Sequence, residues 1–488
     1  MPIAAGVDSS TQSCTIEVRD ADSGLLLGSG RAAHPPTTPP RSEQDPEGWW
    51  TAFVHALTAA ATDAGVRVSE IDAISIAGQC HGMVLLNSAG EALRPAKLWN
   101  DTESTPQARD MVAALGKEGW ARAVGSVPTA AFTITKLAWV AAHEPELIND
   151  IARVLLPHDY LTFRLTGRAV TDRSEASGTA YYAAHENRWR TDLLDRFVSA
   201  DVDWSTALPD VLGPSEPAGT ASTAAAREAG LRADVIVAPG AGDTHAGALG
   251  MGMRLGDVGY SLGTSGVVFA TSPHTICDET GWVNGVSDAT GIYLPVVCTL
   301  NATKVTDTVA RLMGVDLGTL GELALDAMRD AERPVLAAYL DGERSPDRPN
   351  ATGILQGLTT TTTREQFALS AFEGVLLGLY RGQEAIERLG VPTDGDIVLM
   401  GGGARGAAYR QVLADLTGRP VITKDAPEAV AAGACTQAAA VLDGTEVTVI
   451  RDRWTPRISS TTVPRETVRV NARYGLVADW SGADPRAL

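Results

Sequence analysis

The sequence predicts an α/β protein made of two related halves. Three observations carry this. A strand–turn–strand unit with a hydroxyl-rich turn opens the chain at residues 3–18 and recurs at 257–271, about half a chain later. Behind each unit, helical periodicity alternates with short apolar strands. The chain has 488 residues, more than one ordinary core accommodates, so two large domains are expected; we place them at 1–246 and 247–488.

Residues 3–7 form an apolar strand that breaks at Asp8-Ser9-Ser10-Thr11-Gln12-Ser13 and resumes at 14–18 with strand-like alternation. A turn at 20–24 leads to a third strand from Leu25. The first turn is either a polar hairpin loop or a cradle whose N–H groups and hydroxyls meet an anion. After a Pro-rich loop at 31–48, Trp50, Phe53, Leu57 and Ala61 recur at helical spacing as far as Gly65. Strand 71–77 feeds Gly78-Gln79-Cys80-His81-Gly82 and a further strand at 83–86. His81, between glycines, either faces a ligand or makes a structural hydrogen bond. Leu98-Trp99-Asn100-Asp101 sets an aromatic platform beside two polar groups, although Trp99 alone reads equally as core packing. Helical patterns then dominate to about residue 200.

At mid-chain, the apolar run 235–238 leads into Pro239-Gly240-Ala241-Gly242-Asp243-Thr244-His245 and a small-residue segment ending at Gly250. Glycines around Asp243 allow a sharp turn and the close approach of a ligand. A lone Asp in such a turn also serves as an Asx-turn or helix N-cap. The repeated unit follows, with Gly263, Thr264, Ser265 and Gly266 as its turn. A threonine run at 359–363 enters a long amphipathic helix marked by Phe372, Leu376, Leu379, Ile386 and Leu389. Strand 396–400 feeds Gly401-Gly402-Gly403-Ala404-Arg405-Gly406, then a helix stopped by Gly418; a last helix covers 426–442.

Composition narrows the function. With 44% hydrophobic and 20% charged residues, the chain matches soluble globular proteins. Its net charge of −19 repels nucleic acid and anionic membranes, while leaving room for a small anion at a local cluster of N–H groups. Cys14, Cys80, Cys277, Cys298 and Cys435 have no CxxC spacing, which argues for reduced thiols and against a disulfide framework or zinc site. The N-terminus lacks a secretory pattern and no apolar run approaches a bilayer span. A soluble, cytoplasmic protein is expected.

No GxxxxGK[ST] occurs, which excludes P-loop nucleotide binding. Gly401, Gly403 and Gly406 satisfy GxGxxG, with Asp425 beyond, but they stand near the C-terminus and not at a first strand. A dehydrogenase also has no need of two hydroxyl-rich hairpins. Two such hairpins and a third glycine turn suit a triphosphate held between lobes. Phosphoryl transfer then needs positioning, charge neutralisation and a base for the acceptor hydroxyl. Asp8 and Asp243 are the natural carboxylates, one to hold a metal through its waters and one to take a proton.

The pairing of Asp8–Ser13 with Ser261–Gly266 resembles the two phosphate loops of the actin/sugar-kinase/Hsp70 superfamily, and within it the FGGY carbohydrate kinases. The resemblance runs through residues 42–50, 78–82, 98–101, 156–160, 240–243, 261–266, 340–344 and 401–405. It implies two ribonuclease-H-like domains with an interdomain cleft, and ATP-dependent phosphorylation of a ketopentose, D-xylulose, at its primary hydroxyl. It also implies Asp243 as general base and Asp8 as the carboxylate supporting Mg²⁺ and the phosphates. Cys80, His81, Trp99, Asn100, Asp101 and Thr244 would then line the sugar. Ser9, Ser10, Thr11, Gly263, Thr264 and Ser265 would meet the phosphates, with Gly402, Gly403 and Ala404 against the adenosine. Relatives are often homodimers.

The chain departs from the pattern at the first loop, where relatives carry Gly after the Asp, at Cys80, where Met or Gln is common, and at Thr244-His245, where Asn-Ala is usual. Kinases of ribulose or a polyol, and an actin- or Hsp70-like nucleotide switch, are the alternatives.

Overall fold

A computed structural model describes residues 1–327, 333–465 and 468–480. The second lobe expected from the sequence runs on to 488, and its residues 328–332, 466–467 and 481–488 lie outside the described residues. Two mixed sheets organise the chain.

The first sheet contains β1 (Ile3–Ser9), β2 (Ser13–Asp20), β3 (Leu26–Ala33), β4 (Ala73–Gly78), β5 (Gly219–Thr220), β6 (Ile236–Val237) and β7 (Ala241–Gly242). Its order is β5-β6-β4-β1-β2-β3, with β7 also paired to β4. The second contains β8 (Val258–Leu262), β9 (Gly266–Ala270), β10 (Val296–Thr299), β11 (Ile397–Met400), β12 (Val421–Lys424) and β13 (Ile458–Thr462), in the order β10-β9-β8-β11-β12-β13. The pairing senses match strand for strand. An antiparallel meander of three strands (β1–β3, β8–β10) is extended from its first strand by two parallel partners and a final antiparallel one. The repeat legible at 3–18 and 257–271 is therefore a repeat of whole sheets.

Helix α1 (Pro46–Asp63), capped by Asp45, lays Trp49, Phe53 and Leu57 on the first sheet. Helix α2 (Pro157–Thr166) adds Tyr160, Leu161 and Leu165 to the same core. Helix α3 (Arg173–Ser177) is short and capped by Asp172. Helix α4 (Asp243–Gly250) leads toward the second sheet, whose core is filled by Leu369, Phe372, Leu376 and Leu379 of α5 (Arg364–Arg388) and by Val412 and Leu413 of α6 (Ala407–Thr417). The strand expected at 83–86 forms as Val84–Leu86, but it pairs with Arg153–Leu155 outside the main sheet.

Helix α7 (Ala429–Asp443) follows β12, yet packs on β1 and α4. Small residues make this possible. A Cβ on Gly6 would lie 2.1 Å from Ala431 O, and one on Gly250 would lie 2.0 Å from Ala429 O. Ala246 and Leu249 of α4 share an alanine-rich cluster with Ala434 and Ala438 of α7, while Ala248 joins Phe269, Val398 and Ile422 of the second sheet. The pair α4–α7 thus lies between the two sheets.

Candidate active site

Parallel pairing brings three turns together. In register, Asp8 lies beside Ala77 and Ser9 beside Gly78, while Ala241 and Gly242 flank Ala77 and Gly78 from the other side. The carboxyl ends of β1, β4 and β7 therefore present Asp8, Gln79-Cys80-His81 and Asp243 at one edge, where open α/β sheets bind ligands.

Asp8 accepts a hydrogen bond from Ser10 Oγ. Burial pushes its carboxyl up to about 7, with Asp243 and Glu428 adding to the rise. Three carboxylates thus share one locality, and a divalent cation bound there would offset their charge. Thr11 Oγ1 donates to Gln79 Oε1 (3.2 Å) and accepts from Trp99 Nε1 (2.9 Å), so it ties the first hairpin to the 78–82 turn and to the 98–101 loop.

Asp243 is the first residue of α4, with Gly242 in the cap position. The cap position therefore belongs to Gly242 and not to Asp243, whose carboxylate stands in the first turn of the helix, where negative charge is favoured. Its Oδ1 accepts from Thr244 N (2.6 Å), Thr244 Oγ1 (3.3 Å) and Cys80 Sγ (3.3 Å). Burial raises its pKa above the usual carboxylate value, against these donors. Gln437 of α7 holds the preceding turn: its Oε1 accepts from Gly240 N (3.0 Å) and Ser75 Oγ (2.6 Å), and its Nε2 donates to Gly240 O (3.0 Å).

His81 has φ +64° and stacks on Phe132 at 5.1 Å. Its N–H donates to Glu175 Oε1 (2.7 Å) and its carbonyl accepts from Thr133 Oγ1 (3.1 Å). Burial lowers its pKa to about 3, so the ring is neutral. Asn100 is half-buried, and its Oδ1 has no partner among the described residues. Two further residues expected at the sugar, Asp101 and Thr244, also have protein partners. Asp101 is fully buried, and its carboxylate accepts from Ser42 N (2.9 Å), Glu103 N (3.1 Å) and Lys97 Nζ (3.2 Å), which makes it a support for the loop. Thr244 turns both its N–H and its hydroxyl onto Asp243, which makes it an orienting group for the carboxylate.

In the second sheet, Gly263, Thr264 and Ser265 connect β8 to β9, with Gly263 and Thr264 exposed. Ser261 of β8 lies beside Met400 of β11, so Gly401–Gly403 turn out at the same sheet end. Gly401 has φ +81°, and a Cβ there would lie 2.7 Å from Leu262 O, which leaves room only for glycine. Gly402 is exposed, Gly403 buried and Ala404 half-buried at the start of a short 3-10 turn before α6.

Beneath the sugar side lies a buried polar layer to which the sequence pointed only in part. His158 Nε2 sits 3.3 Å from both Asp159 Oδ1 and Asp172 Oδ1. His245 is buried with both ring nitrogens unpartnered among the described residues, and burial lowers its pKa to about 4. Residues 156–160 and His245 were visible as motif pieces; Glu175 and Gln437 stand within helices, and Asp172 and Glu428 at helix caps, where no local signal marks them.

The two family models for carbohydrate kinases of the FGGY family match this chain, the N-terminal domain over residues 3–250 and the C-terminal domain over 258–442. A xylulose kinase of Streptomyces coelicolor is 40% identical over 481 residues, 98% of this chain and 96% of its own length. A xylulose kinase of Streptomyces rubiginosus is 41% identical over 454 residues, 93% and 91% of the two chains. The crystal structure of xylulose kinase from Bifidobacterium adolescentis superposes with a TM-score of 0.86 at 38% identity, covering 98% of this chain and 99% of that one.

Proposed function

Because the chain belongs to the FGGY family of carbohydrate kinases, we propose that its cleft transfers the γ-phosphoryl group of ATP to the primary hydroxyl of D-xylulose, giving D-xylulose 5-phosphate and ADP. The observation that carries the residue assignment is the meeting of Asp8, Cys80-His81 and Asp243 at the ends of three parallel strands. The sugar oxygen attacks the γ-phosphorus in line, the bond to the β–γ bridging oxygen breaks, and the hydroxyl proton passes to Asp243. Donors crowd Asp243 Oδ1, which leaves Oδ2 for that proton. A carboxylate made more basic by burial suits the task.

Cys80, neutral His81, Trp99 and Asn100 face the sugar in this reading. Ser9, Ser10, Thr11 and the turn 263–265 meet the phosphates, and Gly402, Gly403 and Ala404 border the adenosine. Mg²⁺ would be held through Asp8 and would supply neutralisation of phosphate charge. The lobes divide near residue 246, and the protein works in the cytoplasm as a homodimer. Among the described residues no helix is long and apolar enough to cross a membrane.

A coupled assay for ADP release tests the proposal across D-xylulose, D-ribulose, L-ribulose, glycerol and gluconate. Turnover with D-xylulose well above the rest is expected. Preference for another acceptor moves the substrate assignment, and turnover that ignores every sugar favours the nucleotide switch instead.

A further inference from the structure

Glu175 is fully buried, and its neighbours surround the base from behind. The missing side chain of Gly242, one residue before Asp243, leaves a space that three groups enter. A Cβ there would lie 2.6 Å from Glu175 Oε2, 2.7 Å from His245 Nδ1 and 2.8 Å from Cys80 Sγ. Gly242 N also donates to Ser174 Oγ (3.3 Å), so α3 holds this residue directly. Glu175 Oε1 accepts from His81 N, whereas Oε2 and His245 Nδ1 have no partner among the described residues.

The Cys80 thiol has one proton and two carboxyl neighbours, and in the structure it points to Asp243 Oδ1. An ionised Glu175 would compete for that proton. A neutral Glu175 would not, and its own O–H would find acceptors in Cys80 Sγ and His245 Nδ1. We propose that Glu175 is a positioning residue that acts as a neutral acid: it holds the His81 backbone and leaves the Cys80 thiol to orient Asp243 for proton transfer. Burial, partly opposed by His158, pushes Glu175 up to about 8, so the neutral form prevails at neutral pH and is lost above it. The titratable groups facing Glu175 are Cys80 and His81 after β4, Asp243 and His245 on α4, His158 and Asp159 on α2, and Asp172 before α3. Of these, His158 is also raised into the alkaline range, to about 9, but it lies against Asp159 and Asp172, so the Glu175→Gln and Cys80→Ala variants separate its titration from that of Glu175.

The inference rests on the kinase reading, so sugar-dependent turnover of the unmodified enzyme is measured first, from pH 6 to 10. If turnover is absent, that reading falls and this one with it. If turnover is present, kcat is expected to decline on the alkaline side as Glu175 ionises. Glu175→Ala lowers kcat about tenfold with the KM for ATP little changed, and Glu175→Gln, which donates but cannot ionise, restores most of the loss and removes the alkaline decline. Cys80→Ala removes the same decline by cutting the connection. An alkaline limb that is unchanged in both Glu175→Gln and Cys80→Ala overturns the proposal, whether or not Glu175→Ala folds.

Discussion

Gly433 lies where α7 crosses α4, and replacing it by alanine should disturb both stability and catalysis. A Cβ at this position would sit 1.9 Å from Ala246 O and 2.9 Å from Gly250 N, against 3.4–4 Å for ordinary contact. The helices must part by about 1.5 Å to admit it, and the obstructing atoms are backbone that cannot rotate aside. Alanine's better helix propensity returns about 1 kcal/mol, while overpacking of this kind costs about 1–3 kcal/mol, so a net loss of up to about 2 kcal/mol is expected. The catalytic effect is larger. Asp243 is the first residue of α4, and a misplacement of about 1 Å can cost about 100-fold in rate. Urea denaturation and steady-state kinetics read the two effects separately. Gly433→Ala should unfold at lower urea and lose about 100-fold in kcat. A variant with the parent's denaturation midpoint and kcat would show slack in the crossing and refute the reasoning from close approach.

Asp243→Asn keeps the shape but cannot accept the proton, and should lower kcat by about 100- to 10,000-fold while ADP binding by calorimetry is retained; a kcat within a few-fold of the parent would remove its role as base. Gln437→Leu strands Gly240 N, Gly240 O and Ser75 Oγ, and should cost about 2–4 kcal/mol in urea denaturation, with Gln437→Glu recovering less than the full amount. Burial alone would lower the pKa of His158, yet Asp159 and Asp172 raise it from 6.5 to about 9. The folded state therefore binds this proton more tightly than the unfolded chain. Its contribution to stability is complete below pH 6.5 and is lost as pH rises through about 9. A urea midpoint that stays level across that window would contradict this.

Much of the architecture was legible because it is written in local signals. Strand alternation, hydroxyl turns and glycines at 8–13, 78–82, 240–243, 263–266 and 401–406 mark strand ends without reference to distant residues. The relation between the sheets followed from the repeat at 257–271. What local pattern does not carry is convergence. Glu175 reads as one residue in a helical stretch, and only the placement of α3 against Gly242 brings it beside Cys80. Gln437 stands in an alanine-rich helix whose attachment to β1 and α4, far from it in sequence, comes from the close approaches at Gly6 and Gly250. The same holds for Asp101 and Thr244. Their residue types suggest ligand contact, but the partners that occupy them are Ser42, Lys97 and Glu103 in one case and Asp243 in the other.

The placement of α7 also bears on how the molecule is made. A chain leaving the ribosome completes all seven strands of the first sheet by Gly242, but the surface of β1 around Gly6 stays open until residues 429–443 have emerged. The first half can collapse early. The turn before Asp243 gains its Gln437 partner only when that residue arrives from the far end of the message, so that loss of residues beyond 428 would leave the first sheet with all its strands and the second lacking only β13, yet without a working centre.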